Sequence, residues 1–318
     1  MNVDTFLGSA GWADATRSIL AGDASARRYQ RLQKGAAHAV LMLAPLATAG
    51  PQTQFLRMAH WLRRHGLSAP EIYAADAETG LILMEDLGDF ALLNTLSPDQ
   101  YHCAADVLAH LHRAQAPDFL PHYSAEILAE EAGRLLLWYL PAITGQPVSA
   151  DFTTAYQAEI TTALAPFAHD PQVVILRDYH GQNLHWLPER QGVARIGLLD
   201  FQDALIGHPA YDLTSLLGDV RGTVPTALGK ALAAHFIAKT QHQPNHFNAA
   251  LAAFGAQRAL KILGLFVRLA QRDAKPDYLR LLPRTWAVLQ TALAHPQLAP
   301  LAAFVARHIP PPENLVHP

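Results

Sequence analysis

The chain has 318 residues, half of them apolar, and a formal net charge of −3. This balance excludes the basic stripe expected of a nucleic-acid binder, and the length suffices to bury a substantial core or two lobes around a cleft. The single cysteine, Cys103, excludes an internal disulfide and a cysteine-rich metal site, and a reducing compartment is the default.

The N-terminus lacks the basic region and apolar core of a secretory signal, and no uninterrupted apolar run approaches membrane-spanning length; a cytoplasmic protein is expected. Strands are predicted around Arg28–Leu32 and at His38–Leu43, a helix from about Gln52 to His65, and two short strands around Ile72–Ala74 and Gly80–Met84. Residues 1–88 thus form a small sheet-and-helix lobe with Gly88 as a hinge. From Pro98 onward apolar residues recur every three or four positions, predicting helices over Tyr101–Gln115, Ala125–Leu140 and Phe152–Ala168. Strands return only at Val173–Leu176, Asn183–Leu187 and Val193–Leu199, the last two joined by a Pro-Glu-Arg-Gln-Gly turn. The remainder, from about Pro209 to Arg307, is helical in pattern, and the proline-rich tail from Pro310 reads as loose. Residues 89–318 are therefore a larger, mainly helical lobe, and the fold class is α+β.

Two stretches carry chemistry: Leu176-Arg-Asp-Tyr-His-Gly-Gln-Asn183 and Gly197-Leu-Leu-Asp-Phe-Gln-Asp203. A carboxylate five residues before a carboxamide, with a second carboxylate at the end of an apolar strand, is the minimum equipment for phosphoryl transfer from Mg-ATP to a hydroxyl. Asp178 would orient and deprotonate the acceptor, while Asn183 and Asp200 would hold the metal. Two oxygen ligands from separate strands, completed by phosphate oxygens and waters, suit a magnesium ion that keeps much of its hydration. Asp and Asn also cap turns everywhere, so the spacing and the strand setting carry the reading rather than the residue types.

In these motifs the chain resembles the aminoglycoside phosphotransferase and choline kinase superfamily, whose members share the two-lobed protein-kinase-like fold. It is similar, more closely, to the anomeric sugar kinases that phosphorylate the C1 hydroxyl of N-acetylmuramate and N-acetylglucosamine in cell-wall recycling. The residues behind the resemblance are Gly22–Arg31, Leu83–Gly88, Leu176–Leu184, Leu199–Ala204 and Gly207–Leu213, within roughly residues 20 to 220. The resemblance implies ATP and Mg2+ as cofactors and makes Asp178 the catalytic base and Asn183 and Asp200 the metal ligands. By the same resemblance, Asp212 braces the catalytic loop, and Met84 to Leu87, Glu85 included, form the hinge whose backbone meets adenine. Gln202 and Asp203, which follow Asp200 in the motif, are candidates for the acceptor.

Two departures matter. The protein-kinase pattern places a lysine on the third strand, paired with a glutamate on the following helix. Met42 stands where that lysine would be, and Gln52–His65 contains no carboxylate. The nearest cations are Arg27, Arg28 and Arg31, just after the small-residue loop Gly22–Ala26. An arginine fork suits phosphate oxygens, although charge clusters on strands are often simply solvated. Ser25 offers a hydroxyl and an amide to a phosphate, or the loop is an ordinary hairpin turn.

Among seventeen histidines, His242 and His246 have helical ligand spacing, but Pro244 lies between them and no acid flanks them. His180, inside the catalytic loop, is a candidate for the substrate site because its location places it near the transferred phosphoryl group, or it packs the loop. Trp138 and Tyr139 are candidates for the acceptor pocket. Glu131, two helical turns before Trp138, matches an acidic position of the anomeric kinases and is a candidate for sugar hydroxyls. Charge narrows the acceptor further. From Pro225 to Arg272 there is no Asp or Glu, against Lys230, Lys239, Arg258, Lys261, Arg268 and Arg272. That disfavours a polycationic antibiotic or choline and favours a neutral or anionic amino sugar. Two other readings stand beside this one: a different small-molecule hydroxyl kinase, and a nucleotide-binding regulator without transfer activity. The intact Asp178, Asn183 and Asp200 argue against the second, and no membrane, nucleic-acid or obligate protein partner is implied.

Overall fold

The computed structural model describes residues 2–20, 26–95 and 97–316. In chain order the first elements are helix α1 (Val3–Ser9), strands β1 (Thr16–Leu20), β2 (Arg28–Lys34) and β3 (Ala37–Leu43), helices α2 (Leu46–Ala49) and α3 (Thr53–Arg64), and strands β4 (Ile72–Asp76) and β5 (Leu81–Glu85). Helices α4 (Pro98–Leu111), α5 (Ala125–Ala132), α6 (Leu140–Thr144) and α7 (Ala150–Leu164) follow. Next come short strands β6 (Val173–Ile175), β7 (Leu184–Trp186), β8 (Ile196–Leu198) and β9 (Leu205–Gly207). Helices α8 (Ala210–Leu217), α9 (Thr226–Thr240), α10 (Pro244–Gln271), α11 (Leu282–Leu293), α12 (Ala299–His308) and α13 (Glu313–Val316) complete the chain. Two compact units result: Met1–Thr95 with Gln182–Ala204, and Leu96–Gly181 with Leu205–Pro318.

The first unit is built on an antiparallel sheet of order β1-β2-β3-β5-β4. Its centre is the apolar run Ala39-Val-Leu-Met, buried throughout, as a strand covered on both faces requires. Phe6 and Leu7 of α1 pack with Leu32, Leu41 and Leu83. The α3 stripe Phe55, Met58, Ala59 and Leu62 follows the three- and four-residue spacing of a helix with one buried face. Phe55 stacks on Phe201 at 5.1 Å, which seats the residue after Asp200 in this core.

The grouping differs from a single division after residue 88, because the β7–β8 hairpin hydrogen-bonds to earlier residues of this unit. The Leu198 amide donates to the Ser68 carbonyl at 2.9 Å, the Trp186 amide to the Phe90 carbonyl at 2.8 Å, and the Ser68 hydroxyl to the Ala194 carbonyl at 2.6 Å. Several elements escape the sequence pattern, among them helix α2 and helix α13, which lies in the tail read as loose. Strand β1 is mostly exposed and lacks apolar alternation, β9 has only three residues, and α1 is a short helix capped by Asn2.

The second unit is organised around α10, which packs against α8, α11 and the π turn that covers Leu135–Tyr139. By length and composition α10 passes for a membrane span, contrary to the sequence expectation, yet 78% of its apolar window is buried within the protein. It is a core helix, apolar nearly all round because it is surrounded. Gly264 lets it approach closely: a methyl group there would collide with the Arg134 backbone. The single helix predicted over Ala125–Leu140 is in fact α5, the π turn and the start of α6. The π turn breaks the 3.6-residue register between Glu131 and Trp138 on which their expected common face rested.

Candidate active site

Strand β6, paired with β9, ends at Ile175 and releases the loop that carries Asp178. Arg177 is held at φ 70°, a left-handed conformation uncommon for a residue with a side chain. The constraint comes from Asp212, fully buried in the first turn of α8, whose two oxygens accept the Leu176 amide at 2.6 Å and the Arg177 amide at 2.8 Å. Burial pushes the Asp212 carboxyl up to about 7, against the pull of those amides. Beyond Asp178, the Gly181 amide donates to Asp219 at 3.0 Å, and Asp219 also accepts the Arg221 amide at 2.9 Å. Tyr179, between them, is buried and donates its hydroxyl to the Ala104 carbonyl at 2.8 Å. Asp219 was not among the expected residues. Its one sequence signal is an acid just past a helix C-terminus, where the helix dipole disfavours negative charge.

The Asp178 side chain is 47% exposed, and Arg258 stands 3.8 Å from its Oδ1. Desolvation pushes its carboxyl up, but the charges of Arg258, Lys261 and Arg177 outweigh that in so open a side chain and hold it below the ordinary carboxylate value. Arg258 is positioned by the Ser215 hydroxyl, to which it donates at 2.7 Å. Glu131, expected at sugar hydroxyls, is filled instead by protein partners: Lys261 at 2.6 Å, Arg177 at 2.5 Å, Arg134 at 3.3 Å and the Tyr123 hydroxyl. Burial would push the Glu131 carboxyl up, but Lys261 and Arg177 hold it at about 2. His180 is buried, and burial with the adjacent Arg221 charge keeps its imidazole well below the usual value and therefore uncharged near neutrality. Tyr139 is a core residue whose hydroxyl donates to the Pro310 carbonyl at 2.8 Å, which also ties down the start of the tail.

In the first unit, Asn183 precedes β7 and Asp200 follows β8, and the hairpin register brings them together. The Leu199 amide donates to the Asn183 carbonyl at 3.0 Å, and the Asn183 amide nitrogen is 3.5 Å from Asp200 Oδ2. Asp200 is held at φ 58°. Gln202 spends its amide nitrogen on Asp200 at 2.7 Å and Asp203 at 3.3 Å, so this candidate orients the carboxylate. Asp203 is exposed. Asn183 and Asp200, neighbours through the Asn183 amide nitrogen, each also carry a hard oxygen donor, the donor chemistry that fits a magnesium ion sharing its shell with phosphates and water.

The arginines divide. Arg31 is committed to Asp86 at 2.6 Å and Asp89 at 2.6 Å, a clamp between β2 and the segment after β5. Arg28 is exposed. Arg27 donates from Nε to Gln52 Oε1 at 3.0 Å. Ser25 lies outside the described residues. Of the expected hinge, Met84 and Leu87 are buried, while the Glu85 amide donates to the Glu71 carbonyl at 2.8 Å and its carboxylate pairs with Arg190. Met42 is fully buried.

The sheet unit thus carries Asn183 and Asp200 next to each other, and the helical unit carries Asp178 on a braced loop. The chain belongs to the phosphotransferase enzyme family (APH), whose family model matches residues 16–246. It is 37% identical to an N-acetylmuramate/N-acetylglucosamine kinase of Caulobacter vibrioides, over 96% of this chain and 95% of that one. The fold is similar to that of a choline/ethanolamine kinase family protein from Mesorhizobium loti, with TM-score 0.64 at 17% identity over 94% of both chains. It is also similar to the ADP-bound aminoglycoside phosphotransferase APH(2'')-Ib, with TM-score 0.62 at 13% identity over 92% of this chain and 99% of that one.

Proposed function

We propose that this chain transfers the γ-phosphoryl group of ATP to the anomeric hydroxyl of N-acetylmuramate and N-acetylglucosamine, giving sugar 1-phosphates for cell-wall recycling. The observation that carries the reading is the half-exposed Asp178 set among Arg258, Lys261 and Arg177, with Glu131 already neutralised by its own partners. Such surroundings repel a polycationic acceptor and accept a neutral or carboxylate-bearing sugar. The name of the Caulobacter vibrioides relative supports the same acceptors.

Asp178 takes the proton of the attacking hydroxyl. Because the neighbouring cations keep it ionised, it is a weak base, and an anomeric hydroxyl, more acidic than an ordinary alcohol, suits it. Asn183 and Asp200 hold magnesium, which when bound neutralises charge on the nucleotide phosphates. We assign the nucleotide to the sheet unit and the acceptor to the helical unit; the ADP-bound relative of this fold supports nucleotide use.

The test is ADP release with N-acetylmuramate, N-acetylglucosamine, glucose, choline and kanamycin, together with a reducing-end assay of the product. Turnover with the two N-acetyl sugars and loss of the reducing end are expected. Turnover confined to choline or kanamycin, or a product that still reduces, sinks the proposal.

A further inference from the structure

Resting on the assignment of Asp178 as the base, we propose that Arg258 is a positioning residue for that aspartate and that Ser215 aims it. Helix α8 then seats the base twice, by its backbone through Asp212 and by its side chain through Ser215 and Arg258. Ser215 and Arg258 both lie outside the sequence stretches that carry the chemistry.

The helices bring these groups together. Asp212 and Ser215 stand three residues apart on α8 and are therefore neighbours on its surface. Asp212 spends both oxygens on the Leu176 and Arg177 amides, which fixes the chain leading into Asp178. Ser215, 1% exposed, accepts Arg258 Nη2 at 2.7 Å. Helix α10 lies close enough for this contact: Thr214 donates its hydroxyl to the Leu251 carbonyl at 3.3 Å, and a Cβ at Gly255 would already touch Thr214 at 3.4 Å. The nitrogen that Ser215 holds is also the one that faces the base, since Arg258 Nη2 stands 3.8 Å from Asp178 Oδ1. An Nη nitrogen carries two hydrogens, so one can serve each partner.

The cations around Asp178 are not equivalent. Lys261 and Arg177 place their charge on the Glu131 carboxylate, at 2.6 Å and 2.5 Å. Arg258 donates instead to a hydroxyl, which orients a guanidinium without offsetting it. Its side chain is 11% exposed, and there its attraction for a carboxylate is screened less than at the open surface. A half-exposed aspartate has several rotamers within reach, and a fixed cation beside Oδ1 favours one of them. Desolvation pushes the Asp178 carboxyl up, and of the charges that hold it down Arg258 acts most strongly, ahead of Lys261.

The experiment is steady-state turnover of N-acetylglucosamine with ATP, beside a thermal melt, for the full chain and for Arg258→Ala, Arg258→Lys, Ser215→Ala and the double alanine variant. Misplacing the base predicts kcat lowered about 10- to 100-fold by Arg258→Ala, and loss of the aiming hydrogen bond about fivefold by Ser215→Ala, with the ATP Michaelis constant unchanged. Arg258→Lys keeps the charge and should retain more activity than alanine, and millimolar guanidinium should restore part of the kcat of Arg258→Ala. Ser215→Ala should add nothing to Arg258→Ala, and Arg258→Ala should add nothing to Asp178→Asn, because each acts through the next. Arg258→Gln takes the place of the alanine variant if that one does not fold. Wild-type kcat in the Arg258 variants, a further loss on top of Asp178→Asn, or a kcat that falls only with the folded fraction overturns this role of Arg258 and leaves the base assignment standing. An Asp178→Asn chain of full activity overturns the base assignment and the role of Arg258 with it.

Discussion

The Gly181 amide donates to Asp219 at 3.0 Å, so the loop carrying Asp178 is fastened after the aspartate as well as before it, where Asp212 holds Leu176 and Arg177. Both anchors belong to α8 and the residues just beyond it, and both spend backbone amides that would otherwise be unpaired. A loop strained at Arg177 keeps one geometry only while both anchors hold.

Asp219→Ala should therefore lower kcat by about 10- to 100-fold, the usual effect of misplacing a reacting group by roughly 1 Å, while the ATP Michaelis constant changes little. Steady-state kinetics beside a thermal melt checks this. A variant that melts lower yet turns over at the wild-type rate would make Asp219 a stability residue and nothing more.

Asp178→Asn should reduce turnover by about 100-fold or more while ATP still binds, as loss of a general base does. The cations around Asp178 lower its pKa, so it stays ionised above its ordinary value near 4. The pH–rate profile should accordingly show no limb from this group between pH 5 and pH 8. A limb in that interval that disappears in Asp178→Asn contradicts the electrostatic account.

Asp200→Ala should abolish magnesium-dependent nucleotide binding, and EDTA should stop turnover. Titration of ADP with and without magnesium gives the answer directly. Full activity in EDTA removes the metal assignment of Asn183 and Asp200.

Glu131 makes a pH-dependent contribution to stability. Its pKa falls from 4.5 to about 2 on folding, so the contribution is fully present above pH 4.5 and is lost as pH drops through the interval down to about 2. The shift corresponds to roughly 3 kcal/mol. Glu131→Gln should melt lower than wild type at pH 6, and the difference should shrink towards pH 2.5. Melting curves that stay parallel over that range would show that Lys261 and Arg177 do not act on this carboxylate.

Met42→Lys should not restore a phosphate contact. Position 42 is fully buried and α3 has no carboxylate to receive the ammonium, so the substitution should destabilise by several kcal/mol, on the order of the cost of burying an unpaired charge that shifts its pKa instead. Raised activity in this variant would mean that the sheet unit still has the room and the partner for a strand lysine.

Much of the candidate site was proposed from the sequence alone. Residue type and spacing singled out Asp178, Asn183 and Asp200 as candidates at strand ends, because strand ends and a short turn follow from local apolar runs and turn residues. The structure seats Asn183 beside Asp200 across the β7–β8 pair. Periodicity could not foresee the break at Leu135–Tyr139, because a π turn has no pattern distinct from that of an α-helix and depends here on packing against α10. The continuous helical register assumed between Glu131 and Trp138 therefore does not hold.

By itself the sequence determined the α+β class, most elements, the candidate residues of the loop, and the absence of a lysine at position 42 and of a carboxylate in Gln52–His65, all of which are local in the chain. Only the tertiary structure decided how the charges are used. Arg31 is spent on Asp86 and Asp89, Glu131 on Lys261 and Arg177, and Arg27 is held by Gln52 from 25 positions away. Charged side chains take the partners that folding brings within a few ångströms, and desolvation then makes those partners hard to exchange. Sequence spacing alone cannot assign such pairs.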